Sequence, residues 1–235
     1  MKGTKNPLNL IRSAIYRMKN KQTIFPYYGI EAFMGRFGAG KTLGCVFKCI
    51  TILEQYPECI LITNTDINGI SNVTYRFSSA EELVKVMSQV IEEKNVNGYV
   101  IFIDELHVVL SDLFSHSDPI FLTYLSQLRK LGIYIIGTSQ LYNKLPRMVR
   151  DYLRLSGQIV FCNKILGGIT ILQYVDMETC EETSRINLDY KIKSYDWFFH
   201  TIQLYESYDT FAVVSQIKSL LKYDKKGSVA NNGFI

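Results

Sequence analysis

The chain is poor in the residues that brace small folds by covalent or metal links. Its five cysteines, Cys45, Cys49, Cys59, Cys162 and Cys180, are an odd number with no C-x-x-C pair. Neither His107 nor His116 stands at a finger-like spacing from two of them. This excludes a disulfide scaffold and a structural zinc, and predicts buried thiols in a reducing cytoplasm. Long apolar runs are also missing. Leu155–Val175 is apolar overall, but Gln158, Asn163, Lys164 and Gln173 interrupt it and Gly167-Gly168 breaks it. It therefore reads as a β-hairpin, not as the roughly 20 apolar residues a membrane helix needs. The N-terminus has no apolar core before a small-residue cleavage site, so no secretory signal and no intrinsic membrane span are expected. There is no internal repeat.

Acid is absent from the first 30 residues, which carry Lys2, Lys5, Arg12, Arg17, Lys19 and Lys21. The whole chain has 26 basic and 22 acidic residues, so the remainder is close to neutral. A uniformly cationic binder is excluded, and the basicity belongs to an arm. With 235 residues, 47% hydrophobic and 20% charged, the chain is globular and long enough to bury a core in one domain.

The pattern predicts three parts: a basic N-terminal arm over 1–26, a main domain over 27–221 and a frayed tail over 222–235. In the arm, Leu8, Ile11, Ile15 and Met18 recur at helical spacing after Asn6-Pro7. Tyr27–Met34 reads as a strand, and Lys41 to about Glu54 as a helix. Cys59–Thr63 is a second strand, and Ser79-Ala-Glu-Glu82 opens a helix with a capping box. Tyr99–Ile103 is apolar throughout, as a strand buried on both faces of a parallel sheet must be. A helix over Pro119–Lys130 ends at Gly132, and another buried strand, Ile133–Gly137, follows. Ile159–Phe161 and Ile169–Tyr174 form the hairpin. The aromatic-rich stretch from Asp196 to Tyr208 reads as a cap over the sheet. Alternating strands and helices predict an α/β fold: a mainly parallel sheet flanked by helices, with a C-terminal hairpin.

Gly35-x4-Gly40-Lys41-Thr42 carries the strongest chemistry. Glycines let a backbone wrap closely around phosphate, its N–H groups form an anion nest, and the following helix N-terminus adds partial positive charge. The residues assigned to the nucleotide are Gly35, Gly38, Ala39, Gly40, Lys41, Thr42 and Leu43. Lys41 is expected to reach the β- and γ-phosphates, and Thr42 the Mg²⁺ of bound ATP. Asp104 ends the buried strand at the sheet edge where such ligands bind, as a second Mg²⁺ residue. Glu105 follows it as the base for the attacking water. Gln140 ends the next strand, placed to sense the γ-phosphate. Of the arginines Arg129, Arg147, Arg150 and Arg154, Arg129 is the candidate finger offered to a neighbouring subunit, with Arg147 and Arg150 as alternates or as contacts to DNA phosphates. No Asn-Lys-x-Asp guanine-reading motif is present, which disfavours a GTPase. Asp104-Glu-Leu-His107 also spells a helicase box, but a single P-loop in 235 residues cannot supply a second motor lobe.

Leu128-Arg129-Lys-Leu-Gly132-Ile-Tyr-Ile-Ile-Gly-Thr-Ser-Gln140, then Val149-Arg150 and Ile159-Val-Phe161, resembles the FtsK–HerA superfamily of DNA-pumping ATPases. The resemblance spans about residues 28–162. It implies a RecA-like P-loop ATPase that translocates double-stranded DNA as a homo-oligomeric ring, a hexamer being one candidate. The viral genome-packaging branch is favoured, which places the protein in the host cytoplasm or with the virion. The N-terminal arm then contacts phosphates or docks the motor to a portal or membrane protein. The alternative branch resembles Zot-like assembly ATPases of filamentous phages, which work through a membrane-protein partner. Ser139 between Thr138 and Gln140 departs from the Thr-Gln of many members.

Overall fold

A computed structural model describes residues 25–93, 96, 98–115, 119–165, 168–182 and 188–208. The helix expected over 6–19 and the tail over 222–235 lie outside the described residues. In chain order the elements begin with β1 (Gly29–Met34), α1 (Lys41–Gln55), β2 (Ile60–Thr63), β3 (Thr74–Arg76) and α2 (Ala80–Glu93). Next come β4 (Tyr99–Ile103), α3 (Leu106–Ser115), α4 (Pro119–Leu131) and β5 (Ile133–Ser139). A short 3₁₀ turn over Tyr142–Lys144 leads to α5 (Arg147–Ser156), β6 (Gln158–Ile165) and β7 (Ile169–Val175). The small pair β8 (Glu181–Glu182) and β9 (Leu188–Asp189), then β10 (Ile192–Phe199) and α6 (Ile202–Glu206), complete the described chain.

Eight strands form one sheet in the order β10-β7-β6-β1-β5-β4-β2-β3. The six from β6 to β3 are parallel, while β7 and β10 are antiparallel additions at one edge. The central strands alternate between two cores, because successive side chains leave opposite faces. Tyr99, Ile101 and Ile103 of β4 join Ile133 and Ile135 in a core covered by α2, α3, α4 and α5. Val100 and Phe102 join Tyr134 and Ile136 in the other, beneath α1. The result is a helix–sheet–helix sandwich with the central strands buried on both sides.

Local chemistry fixes the helix ends. Ser79 Oγ accepts the Glu82 N–H at 3.2 Å, and the Glu82 carboxylate accepts the Ser78 N–H at 2.7 Å. The expected capping box is thus formed, with its return bond one residue earlier. Gly132 at φ 63° turns the chain out of α4 into β5.

Several elements depart from the sequence pattern. The aromatic stretch expected to cap the sheet divides: up to Phe199 it enters the sheet, where β10 pairs antiparallel with β7 from Ile192 to Phe199, while Leu204 and Tyr208 pack onto the core under α1. Phe198 is the one buried residue of β10, stacked 4.8 Å from Phe47 of α1, while Tyr195, Trp197 and Phe199 leave the opposite face and are exposed. The hairpin belongs to the main sheet, because β6 also pairs with β1. Finally, β3, α3 and α5 were not distinguished as elements in the sequence. β3 has only three residues, with none buried, and only two residues separate α3 from β4.

All five cysteines are free and buried. Cys45, Cys49, Cys59 and Cys162 lie in the core under α1, and Cys180 lies in the opposite one. Burial pushes the Cys49, Cys59 and Cys162 thiols up to about 12, and Cys45 well above the usual thiol range. Among these apolar groups sits one ion pair. Glu31 of β1 faces α1 and meets Lys48 Nζ at 2.6 Å, with side-chain exposures of 7% and 21%. Tyr134 of β5 donates its hydroxyl to the same carboxylate, and burial followed by the Glu31 charge pushes that phenol well up. Lys48 also lies 5.0 Å from the Tyr174 ring centre. The pair ties the helix behind the glycine loop to the central strand. Lys48→Ala leaves the carboxylate buried without its cation and lowers unfolding free energy by about 3 kcal/mol in urea denaturation. A loss below about 1 kcal/mol would show a pair screened as on a surface.

Candidate functional site: a P-loop beside two carboxylates

β1 ends at Met34 and the chain enters the glycine loop. Gly35, Gly38 and Gly40 all have positive φ, at 146°, 76° and 86°. Gly40 shows why the residue is required: a Cβ there would lie 2.6 Å from Thr170 Oγ1, and the left-handed φ disfavours a side chain besides. The first helical bond of α1 runs from the Gly44 N–H to the Gly40 carbonyl at 2.8 Å. The amides of Lys41, Thr42 and Leu43 precede that bond, and the helix has neither a side-chain N-cap nor an acid in its first turn. They are the unsatisfied donors of a helix N-terminus, aimed where phosphate oxygens fit. Lys41 is buried and donates to the Arg36 carbonyl across the loop at 3.1 Å. That carbonyl oxygen occupies the position of an acceptor the ammonium can exchange for phosphate. Phe37, 83% exposed, lies at the loop tip with Lys41 Nζ 5.6 Å from its ring centre.

Asp104 stands at the C-terminal end of β4 and faces Thr42. Thr42 Oγ1 lies 3.4 Å from Asp104 Oδ1, which also accepts a 2.7 Å bond from Thr138 Oγ1. The same Thr138 oxygen accepts the Glu105 N–H at 3.0 Å. One hydroxyl from β5 thereby orients both acidic residues. Asn64, just past β2, clamps Asp104 from the other side: its Oδ1 accepts the Asp104 N–H at 2.9 Å and its Nδ2 donates to the Asp104 carbonyl at 3.0 Å. Tyr208 donates to Asp104 Oδ2 at 3.1 Å.

Glu105 is the one non-glycine described residue with positive φ, at 60°. Such a conformation costs on the order of 1–3 kcal/mol and persists only where the surroundings hold it, here through Thr138. It turns the Glu105 side chain, 43% exposed, away from the strand direction. Gln140 Nε2 reaches Glu105 Oε1 at 3.4 Å, and His107 Nδ1 lies 3.1 Å from Oε2. Neither of that second pair of atoms has an aligned hydrogen-bond partner among the described residues. The carboxylate thus has one oxygen beside the Gln140 amide and the other buried beside the His107 ring.

The structure brings Gly35, Gly38, Ala39, Gly40, Lys41, Thr42, Leu43, Asp104, Glu105 and Gln140 to one edge of the sheet. It does not bring Arg129 there. Arg129 closes α4 at the opposite edge, 5.6 Å from the Tyr28 ring centre, in a cleft shared with Glu31, Tyr134 and Gln158. Arg147 and Arg154 are exposed on α5, and Arg150 lies 5.7 Å from the Tyr142 ring centre. The sequence reading missed Asn64, Thr170 and Tyr208. A polar residue directly after a buried strand is a signal that could have found Asn64; nothing local marks the other two. Thr170 packs against Gly40 and shares a 2.8 Å bond with His200 Nε2, whose Nδ1 lies 2.8 Å from the Tyr205 hydroxyl. Burial, then the Lys164 charge, lowers the His200 pKa and favours the neutral ring.

One hydroxyl and one carboxylate beside an anion nest is the donor set a phosphate-bound Mg²⁺ takes, since that ion keeps several waters and few protein ligands. In the sheet, β5 separates the loop strand β1 from the aspartate strand β4. With the loop geometry, that order defines a RecA-like α/β P-loop NTPase fold. No protein-family model and no curated protein matches the chain. Among solved structures it is similar to the ATPase domain of G40P, at 10% identity and a TM-score of 0.45, covering 73% of this chain and 91% of that one.

Gly40→Ala places a methyl group against Thr170 and strains the loop. It is expected to weaken binding of the non-hydrolysable analogue AMP-PNP by at least about tenfold in calorimetry, with the circular dichroism spectrum unchanged. Gly38→Ala, which meets open space, is expected to lose less.

Proposed function

We propose that the chain is a Mg²⁺-dependent ATPase that drives double-stranded DNA through a homo-oligomeric ring, packaging a viral or mobile-element genome. The observation that carries the hydrolytic part is Glu105: a carboxylate held at strained φ beside Asp104, with Gln140 on one oxygen. A protein that only stores nucleotide has no use for a base held at that cost.

In this reading the loop amides and Lys41 bind the phosphates, while Thr42 and Asp104 hold the cation. Bound Mg²⁺ supplies charge neutralisation at the phosphates. Glu105 takes a proton from water, and Gln140, on the neighbouring strand end, links that carboxylate to β5 and senses the terminal phosphate. Arg129 lies on the edge away from its own loop, which suits a residue reaching a neighbouring subunit's nucleotide. The catalytic domain is 27–221, and the basic arm serves DNA phosphates or docking to a portal or membrane protein. No helix among the described residues is long and apolar enough to cross a membrane. The DNA part rests on the order of motifs from Leu128 to Phe161.

Three measurements test it. Double-stranded DNA is expected to stimulate ATP hydrolysis, and AMP-PNP with Mg²⁺ is expected to raise the solution mass to that of a ring. Hydrolysis indifferent to DNA by a protein that stays monomeric would sink the motor. Glu105→Gln is expected to cut turnover at least about 100-fold while AMP-PNP still binds; normal turnover in that variant would remove Glu105 as the base.

A further inference from the structure

Asp104 has two carboxylate oxygens with different surroundings. Oδ1 faces Thr42 and Thr138, the side on which a cation bound to the loop would sit. Oδ2 faces away from them, toward Tyr208 at 3.1 Å. Tyr208 is 9% exposed and belongs to the core under α1, with Ile67 and Leu204. Its position is fixed by its backbone. Ile67 and Tyr208 form a β-bridge, Asn68 N–H donates to the Ser207 carbonyl at 2.9 Å, and Asn68 Nδ2 to the Glu206 carbonyl at 3.4 Å. The short α6 before it is capped by Thr201, whose Oγ1 accepts the Leu204 N–H at 3.2 Å.

The loop that grips Tyr208 is the loop that grips Asp104. Asn64 holds the aspartate backbone, and three residues on Ile67 holds the tyrosine backbone. The carboxylate is therefore fixed at both ends of its side chain: at the backbone by Asn64 and at the far oxygen by Tyr208. A carboxylate free to spin about its last bond would offer the cation either oxygen at varying angles, whereas Mg²⁺ demands near-ideal octahedral geometry.

We propose that Tyr208 is a positioning residue for Mg²⁺: its hydroxyl on Oδ2, acting with the Thr138 hydroxyl on Oδ1, locks the rotation of the Asp104 carboxylate so that Oδ1 stays beside Thr42. This rests on reading Asp104 as a Mg²⁺ residue. It makes the segment 201–208 part of the nucleotide site, although it lies about 100 residues from Asp104 in the chain. Displacing that segment changes affinity for the metal–nucleotide complex and leaves affinity for the metal-free nucleotide alone.

Tyr208→Phe removes one oxygen and keeps the ring in the core. Calorimetry with AMP-PNP, in EDTA and in excess Mg²⁺, reads the effect without turnover. Expected is unchanged affinity in EDTA and about tenfold weaker binding with Mg²⁺, the usual worth of a hydrogen bond to a charged group. In an Asp104→Asn background the same change is expected to do nothing further. Equal weakening with and without Mg²⁺, no weakening at all, or an undiminished effect in the Asp104→Asn background would each overturn the proposal. Wild-type protein that gains no affinity from Mg²⁺ would instead overturn the reading of Asp104, and this proposal with it.

Discussion

The ends of β4 and β5 run so close that a methyl group at position 137 would lie 2.1 Å from the Ile103 carbonyl oxygen and 2.6 Å from Leu106 Cγ. Only glycine permits that approach, and much of the site depends on it. It brings the Thr138 hydroxyl against Asp104 and the Glu105 amide together, so one oxygen sets the direction of both acids. Gln140 then reaches Glu105 because it leaves the same strand two residues later. A wider gap between the strands would release the bond that holds Glu105 in its left-handed conformation. The pair of acids is best understood as a property of two strands in contact, not of the Asp-Glu dipeptide.

This explains which parts were legible in the sequence. The loop and its helix were plain, because Gly35, Gly40, Lys41 and Thr42 act over eight consecutive residues and need no distant partner. The buried strands β4 and β5 were plain as well, since burial on both faces leaves continuous apolar runs such as Tyr99–Ile103. Asn64 and Tyr208 were not, because each works through a contact spanning 40 and 104 residues of chain. β10 was misread for a related reason. Its aromatic residues occupy both faces of an edge strand, so which of them is buried is a fact of its neighbours: Phe47 covers Phe198, and among the described residues no helix covers Trp197.

The site is also tied to the body of the fold from below. Lys48 follows Lys41 by two helical turns, and its bond to Glu31 pins α1 to the strand that feeds the loop. Tyr134, which shares the Glu31 carboxylate, belongs to the strand that carries Thr138. The helix bearing the phosphate donors and the strand bearing the orienting hydroxyl thus meet at one buried charge. A hydrophobic contact there would allow small sliding; a hydrogen-bonded ion pair resists it, because any displacement leaves a charge without its partner.

The cysteines carry a practical consequence of the same layered build. A thiol reacts as its thiolate, and burial holds Cys45, Cys49, Cys59 and Cys162 almost wholly protonated at neutral pH. The native fold is therefore silent to alkylating reagents at these four positions, and each acquires reactivity only when the layer covering it lifts. Four of the thiols lie beneath α1 and Cys180 lies across the sheet. The chain has, in effect, a built-in set of chemical footprints that tells which side of the sandwich opens first.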